Sequence, residues 1–371
     1  MRPWVWLLLG TGCAPIAKDW PDRMDFPIWE ADEMTPAADD IDELKVVAWN
    51  IKFGAGRIDF WFDGFGDTVS MTEAEVLGNL DGIRDLLAEF DPDIVMMEEI
   101  EVGSKRSAYV DMVDWFLNDS DLGYNYAAYV PNWQVNYVPD HGLGKVDMGN
   151  ALLSKYPITK NTRIDLGPQE DQDAITKYFY LDRCILRATV ELPTGPMEVL
   201  VNHPDAYSTD GTKIRQIEQT FDEAAGIEGD VIIGGDLNVI PPGSLRLEDF
   251  ADESDVSGNR GVGSVDYIGQ EDVLVPWYDA WEEASEEDHG DGKPTLDAYM
   301  NATTEAEQAN YMSHSISKDV HWTQRLDYLF SNRSWSEGWV VQDADDGPGV
   351  EVPDPMTLSD HAPMWGVLVL P

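Results

Sequence analysis

Several apolar runs in this chain stop at residues able to do chemistry. VVAW runs into Asn50, DIVMM into Glu98 and Glu99, EVLVN into His203, VIIGG into Asp236 and Asn238, and QRL into Asp327. Ser359, Asp360 and His361 stand just before the final apolar run. Polar groups at the ends of adjacent buried strands meet on one rim of a sheet, where a ligand can reach them. Singly, each has a plain explanation: Asn50 or Asn238 as a turn former, Glu98 and Glu99 as solvated charge, His203 as a hydrogen-bonded core histidine. Together they supply hard oxygen ligands and two imidazoles, the set that magnesium-assisted attack on phosphorus requires.

Such a rim needs strands that end on a common edge. The runs LKVVAWNI, DIVMMEEI, NALLSKYP, RCILRATVEL, MEVLVNH, DVIIGGDLNVI, RLDYLF and WGVLVLP have strand character. A helix is predicted over 72–90, where Val76, Leu80, Ile83, Leu87 and Phe90 share a face and Thr72 with Glu75 forms a capping box. A second is predicted over 212–225, with Ile214, Ile217 and Phe221 on one stripe and Gly226 at its stop. Helices mixed with many strands and no internal repeat give one α/β (α+β) layered domain. The stretches 251–270 and 285–319 read as long loops on it.

The chain has 371 residues, 43% of them hydrophobic, enough for a large core. Its 24 basic residues against 71 acidic ones leave a net charge of −47. Long nucleic acid gains affinity when Lys and Arg displace its counterions, so tight or processive binding of duplex is disfavoured. A divalent cation can still invert the sign locally and admit a phosphate. Solubility or a salty environment explains the charge equally well.

Cys13 and Cys184 form no close pair of the zinc or redox type. The start, MRPWVWLLLGTGC, resembles a short bacterial lipoprotein signal, with Gly10 where such signals usually carry Leu. The expectation is a signal segment over 1–13, membrane attachment through a lipidated Cys13, an acidic linker over 14–43 and a catalytic domain over 44–371, placed outside the cytoplasm. Otherwise Cys13 is an ordinary exposed thiol.

The segments WNI (49–51), PDIVMMEEI (92–100), GNALLSKYPI (149–158), GGDLN (234–238), RLDYLF (325–330) and LSDHAP (358–363) resemble, in order, the motifs of the endonuclease/exonuclease/phosphatase superfamily. The resemblance implies a four-layered α/β sandwich, two mainly antiparallel sheets packed face to face between outer helices. It implies Glu99 as a metal-binding glutamate, Asn50 and Asp360 as further ligands directly or through water, and Mg2+ as the ion, with Mn2+ or Ca2+ also acceptable. Asp236 would orient or deprotonate the attacking water and Asn238 would hold a phosphate oxygen. Asp327 and His361 would form a dyad in which the carboxylate fixes the imidazole tautomer and favours its charged form. His203 would support the transition state from the other side.

The sequence departs from the family pattern at two places. Glu98 stands where Gln is usual, which predicts one extra negative charge and tighter metal binding. Pro204 follows His203, removing an amide donor. His141, His289, His314 and His321 match no motif and read as solvated, although His321 lies near Asp327 in sequence. Tyr129, Tyr137 and Asn150 fall where relatives contact substrate. The aromatic insertion over 54–67 either packs on the sheet rim or walls the substrate through Phe60, Trp61, Phe62 or Phe65.

The expected activity is therefore hydrolysis of a phosphoester, with an extracytoplasmic nuclease first, a phospholipid or sphingolipid phosphodiesterase next and a small-molecule phosphatase behind. No protein partner is predicted. A different class, a non-catalytic acidic calcium-binding surface lipoprotein, calls for a lost catalytic group or an EF-hand loop, and the sequence offers neither. A zinc protease would need HExxH, which is absent.

Overall fold

Leu44, Val46 and Ala48 of strand β3 (Glu43–Asn50) join an apolar layer with Leu186, Ala188, Val199, Val201 and Ile232. The alternate residues Val47 and Trp49 pack instead with Val76, Leu80 and Ile83 of helix α1 (Glu73–Phe90). Both faces of the strand are buried, so its sequence reads as an unbroken apolar run. The structure, a computed structural model, describes residues 20–63, 66–169, 172, 180–252, 266–285 and 296–371.

Two seven-stranded sheets stack against each other among these residues. The first runs β13 (Trp335–Val340), β14 (Met364–Val369), β3, β4 (Ile94–Glu101), β6 (Gly144–Ser154), β5 (Tyr126–Val138) and β2 (Ile28–Glu30). The second runs β1 (Arg23–Asp25), β7 (Ile158–Asp165), β8 (Cys184–Leu192), β9 (Gly195–Asn202), β10 (Asp230–Asp236), β12 (Asp327–Ser331) and β11 (Glu282–Glu283). Only β3 with β4 and β9 with β10 are parallel. Parallel neighbours need a crossover, and α1 supplies one while helix α2 (Thr212–Ala225) supplies the other. With α1 outside the first sheet and α2 packed through Ile217 and Ala224 outside the second, the domain is the four-layered sandwich expected from the sequence.

Both expected helices form, and Thr72 caps α1 in a reciprocal box with Glu75. The folded chain, however, begins earlier than Leu44. Arg23–Asp25 pairs with β7 and Ile28–Glu30 with β5, in a stretch expected to be linker. Three-residue edge strands are too short to show apolar periodicity. Strands β5, β7 and β13 also went unforeseen, because Asn132, Gln134 and Asn136 interrupt the apolar pattern of β5, and Lys160, Asn161 and Arg163 that of β7. The region expected as a loop over 285–319 carries short helices at Leu296–Met300 and Glu305–Gln308. Residues 1–19, Cys13 among them, and much of 251–270 lie outside the described residues.

Gly235 sits in β10 at φ +127°, where a Cβ would come within 2.3 Å of the Asn202 carbonyl oxygen and 2.5 Å of Glu98 Oε1. Gly235→Ala is expected to destabilise the protein by about 1–3 kcal/mol from backbone strain alone, before the clash is counted. Denaturant unfolding measures it, and an unchanged midpoint would contradict the close packing of β10 on Glu98.

Candidate active site

Strand direction explains why distant segments share one rim. The parallel pairs end together, placing Asn50 opposite Glu98 and bringing His203, just after β9, beside the end of β10. The antiparallel strands begin there, so Asp327 opens β12 opposite Asp236, and His361 precedes β14, whose Met364 pairs with Ala48. In β4 the register against β6 shifts between Met97 and Ile100, and Glu99 adopts φ +57°. That bulge lets consecutive glutamates diverge: Glu98 is fully buried, while the side chain of Glu99 is 24% exposed and lines the cleft. Asn238 is likewise left-handed, at φ +55°.

Asp236 is the centre of the cluster. Its Oδ2 lies 3.3 Å from His203 Nε2, 3.6 Å from His361 Nε2 and 3.4 Å from Asn50 Nδ2. Its Oδ1 accepts the Asn238 amide N–H at 2.9 Å, and Asn238 Nδ2 donates to the Pro204 carbonyl at 3.1 Å. Thus Pro204, an oddity in sequence, anchors Asn238. On its far side His361 uses Nδ1 to contact both oxygens of Asp327, at 2.9 and 3.1 Å. Asp327 is fixed in turn by the Ser313 hydroxyl, which donates at 2.6 Å.

Burial alone would discharge His361, but Asp327 and then Asp236 outweigh it and raise its pKa to about 10. The imidazolium therefore persists at neutral pH. Burial pushes Asp236 up, yet His361 and His203 prevail and hold its carboxyl well below the usual range. Asp236 stays ionised, which suits an oriented acceptor more than a strong base. Glu98 goes the other way: desolvation, with Asp327 and Asp236 adding to it, raises its pKa well above normal, and neither carboxyl oxygen has a hydrogen-bond partner. Burial without partners therefore works against the extra charge expected at this position.

Some groups at the site gave no signal in sequence. Lys52 is buried, with Nζ 2.9 Å from Asp63 and 3.2 Å from Asp360. Burial lowers its pKa, but these two carboxylates more than compensate, while Lys52 first among its neighbours keeps Asp360 ionised against burial. His314, expected to be solvated, is 9% exposed, lines the cleft and lies with its ring 4.5 Å from that of His361. Its backbone bridges both Gln324 and His361, a placement that tertiary structure alone creates. Burial and the charge of His361 lower its pKa, so it is a neutral imidazole beside a charged one.

A cleft of about 340 Å³ opens over Glu99, His203, Asp236, Asn238, Asp360 and His361. Trp61 and Phe62 line it, whereas Phe60 is fully buried in the core, so the aromatic insertion both packs and forms a wall. Phe65 lies outside the described residues. His321 is exposed and faces Asp343 at 3.3 Å, away from the cleft lining. Tyr129 binds Asp147, Asn150 binds the Cys184 and Val201 carbonyls, and Tyr137 is exposed; none lines the cleft.

The carboxylates of Glu99 and Asp360 suit a hard divalent ion. The Glu99 carboxylate lies 4.0 Å from His203 Nε2 and faces the cleft. Asn50 fits less directly: its Oδ1 accepts the Lys52 amide at 3.0 Å and its Nδ2 faces Glu99 at 3.5 Å, so it presents a donor where a ligand oxygen was expected. Asp236, Asp327 and His361 also offer atoms within 4.8 Å of one another, close enough to hold a metal ion. A proton on His361 already satisfies that trio, so Glu99 is the better anchor.

Two stacked sheets with a carboxylate and imidazole rim are the arrangement of a phosphoesterase. The chain belongs to the Endonuclease/Exonuclease/phosphatase family, whose sequence profile matches residues 47–361. That family is generally dependent on divalent metal. The fold is similar to that of an endonuclease/exonuclease/phosphatase from Beutenbergia cavernae, at 18% identity over 89% of this chain and 72% of the other, with a TM-score of 0.53. It is also similar to one from Bacteroides vulgatus, at 14% identity, 89% and 99% coverage and a TM-score of 0.50. A functionally unknown conserved protein from Enterococcus faecalis gives 12% identity, 88% and 100% coverage and a TM-score of 0.50. No curated protein matches the chain in sequence.

Two predictions follow from the buried charges. Folded Glu98 retains a proton that the unfolded side chain loses above about pH 4.3, so its cost to stability grows as pH rises. Glu98→Gln should therefore gain on wild type at about pH 8 and lose that gain near pH 4, and a difference constant across that range would contradict a neutral Glu98. For His361 the sign is opposite: stabilisation by its charge is full below about 6.5 and fades as pH rises through about 10. In metal-free protein its imidazole NMR resonances should not titrate between about pH 6 and 9, and Asp327→Asn should bring the midpoint down. A wild-type midpoint near neutrality would refute the dyad.

Proposed function

We propose that this chain is a divalent-metal-dependent phosphodiesterase that acts on nucleic acid outside the cytoplasm, taking short or single-stranded pieces in preference to long duplex. The observation that carries this reading is the Asp236 carboxylate, held ionised between His203 and His361 over the same cleft as Glu99. A divalent ion, when bound by Glu99 and Asp360, supplies positive charge to the phosphate oxygens.

The remaining work falls to the chain. Asp236 accepts a hydrogen bond from the attacking water and aims it, its low basicity leaving full deprotonation to the developing reaction. Asn238 Nδ2 uses one hydrogen on Pro204 and has a second to offer a phosphoryl oxygen. His361, charged and oriented by Asp327, and His203 donate towards the same centre as negative charge builds there. Trp61, Phe62, Trp133 and Tyr207 give the cleft flat surfaces that suit bases. The net charge of −47 supports the preference against long duplex, and the lipoprotein-like start supports the location.

A magnesium-dependent panel of plasmid DNA, single-stranded RNA, bis-p-nitrophenyl phosphate and sphingomyelin tests this. RNA and the small diester are expected to turn over, chelation to stop them, and Asp236→Ala and His361→Ala each to lower kcat by about 100-fold or more. Activity equal to wild type in both variants would remove the mechanism. Turnover of sphingomyelin alone would move the enzyme to lipids, and binding of calcium without any turnover would make it a non-catalytic surface protein.

A further inference from the structure

Arg183, directly before β8, lines the cleft that holds Asp236 and His361. It is only 8% exposed, yet its Nε and Nη1 are buried without any hydrogen-bond partner. Every other buried arginine among the described residues holds a carboxylate: Arg106 meets Glu101 at 2.7 Å, Arg163 meets Asp182 at 2.8 Å and Arg325 meets Glu283 at 2.9 Å. Scarcity does not explain the exception, since the chain carries 71 acidic residues and the adjacent Asp182 turns to Arg163 instead. A guanidinium with two of its three nitrogens withdrawn from water and unpartnered is costly, and the cost is offset when an anion enters.

We infer that Arg183 is an anion subsite of the cleft and takes a second phosphate of the substrate, beside the phosphodiester that is cut. The inference rests on the proposed phosphodiesterase reading and narrows its substrate to nucleotides bearing at least two phosphate groups. The planar guanidinium matches phosphate oxygens in a fork, which a point charge does not. Trp133, Tyr180, Leu181 and Met148 line the same cleft, so it also offers surface suited to a base or sugar. The cleft, at about 340 Å³, lies at the small end of ligand sites and accepts a nucleotide unit better than a length of polymer.

The full chain, its Arg183→Gln variant and its Arg183→Lys variant are compared on three substrates. These are a 5′-phosphorylated dinucleotide, the same dinucleotide without that phosphate, and bis-p-nitrophenyl phosphate. For Arg183→Gln, KM for the phosphorylated dinucleotide should rise by about tenfold or more beyond any change on the other two, with kcat affected far less, and Arg183→Lys should recover only part. Equal losses on all three substrates would overturn the assignment. Two measurements do not depend on turnover. Ligand-free Arg183→Gln should unfold at the same or a higher temperature than wild type, whereas a structural arginine would lower it. Adenosine 3′,5′-bisphosphate should raise the unfolding temperature of wild type and not of Arg183→Gln, and an equal shift in both refutes the subsite. Absence of hydrolysis together with a shift confined to wild type would remove the phosphodiesterase reading and leave the anion site standing.

Discussion

The structure depends on keeping an ionised carboxylate, Asp236, inside a protein that already carries far more acid than base. Isolated, such a group would take up a proton or pull in water. Here two imidazoles, an amide and a backbone N–H converge on it, and His361 brings with it the counter-charge of Asp327. The arrangement is alternating in sign, which is why so many ionisable groups coexist behind one rim. Glu98, which lacks such company, is pushed towards the neutral acid.

That electrostatic requirement dictates much of the architecture around it. Each sheet contributes a parallel pair whose ends come together, and each antiparallel partner begins where those pairs stop. The outer helices are the connections that make parallel pairing feasible, so the layers and the location of the rim have one origin. Bulging at β4 and left-handed backbone at Glu99 and Asn238 then give neighbouring side chains opposite destinations. These are local strains of the kind that surrounding structure must enforce.

The strand-end residues were legible because a polar side chain that interrupts an apolar run is conspicuous, and Asn50, Glu99, His203, Asp236, Asn238, Asp327, Asp360 and His361 do meet around one cleft. Type and position say less about polarity of contact, and Asn50 turns its amide nitrogen where an oxygen was expected. Lys52, His314 and Arg183 were not legible, since nothing in the linear pattern distinguishes a solvated basic residue from one folded inward. His314 comes inward through backbone bridges to Gln324 and His361. Lys52 does so by pairing with Asp63 from the aromatic insertion. Short edge strands escaped for a different reason, a lack of length over which any period can be seen.

The penultimate links of the fold join its opposite ends: the Trp49 indole donates to the His361 carbonyl, the Ser359 hydroxyl to that of Asn50, and β14 lies between β3 and β13 rather than at an edge. Without residues 359–369 the first sheet lacks an interior strand and the rim lacks the histidine of its dyad. The rim and the first sheet are therefore completed by the same stretch of chain.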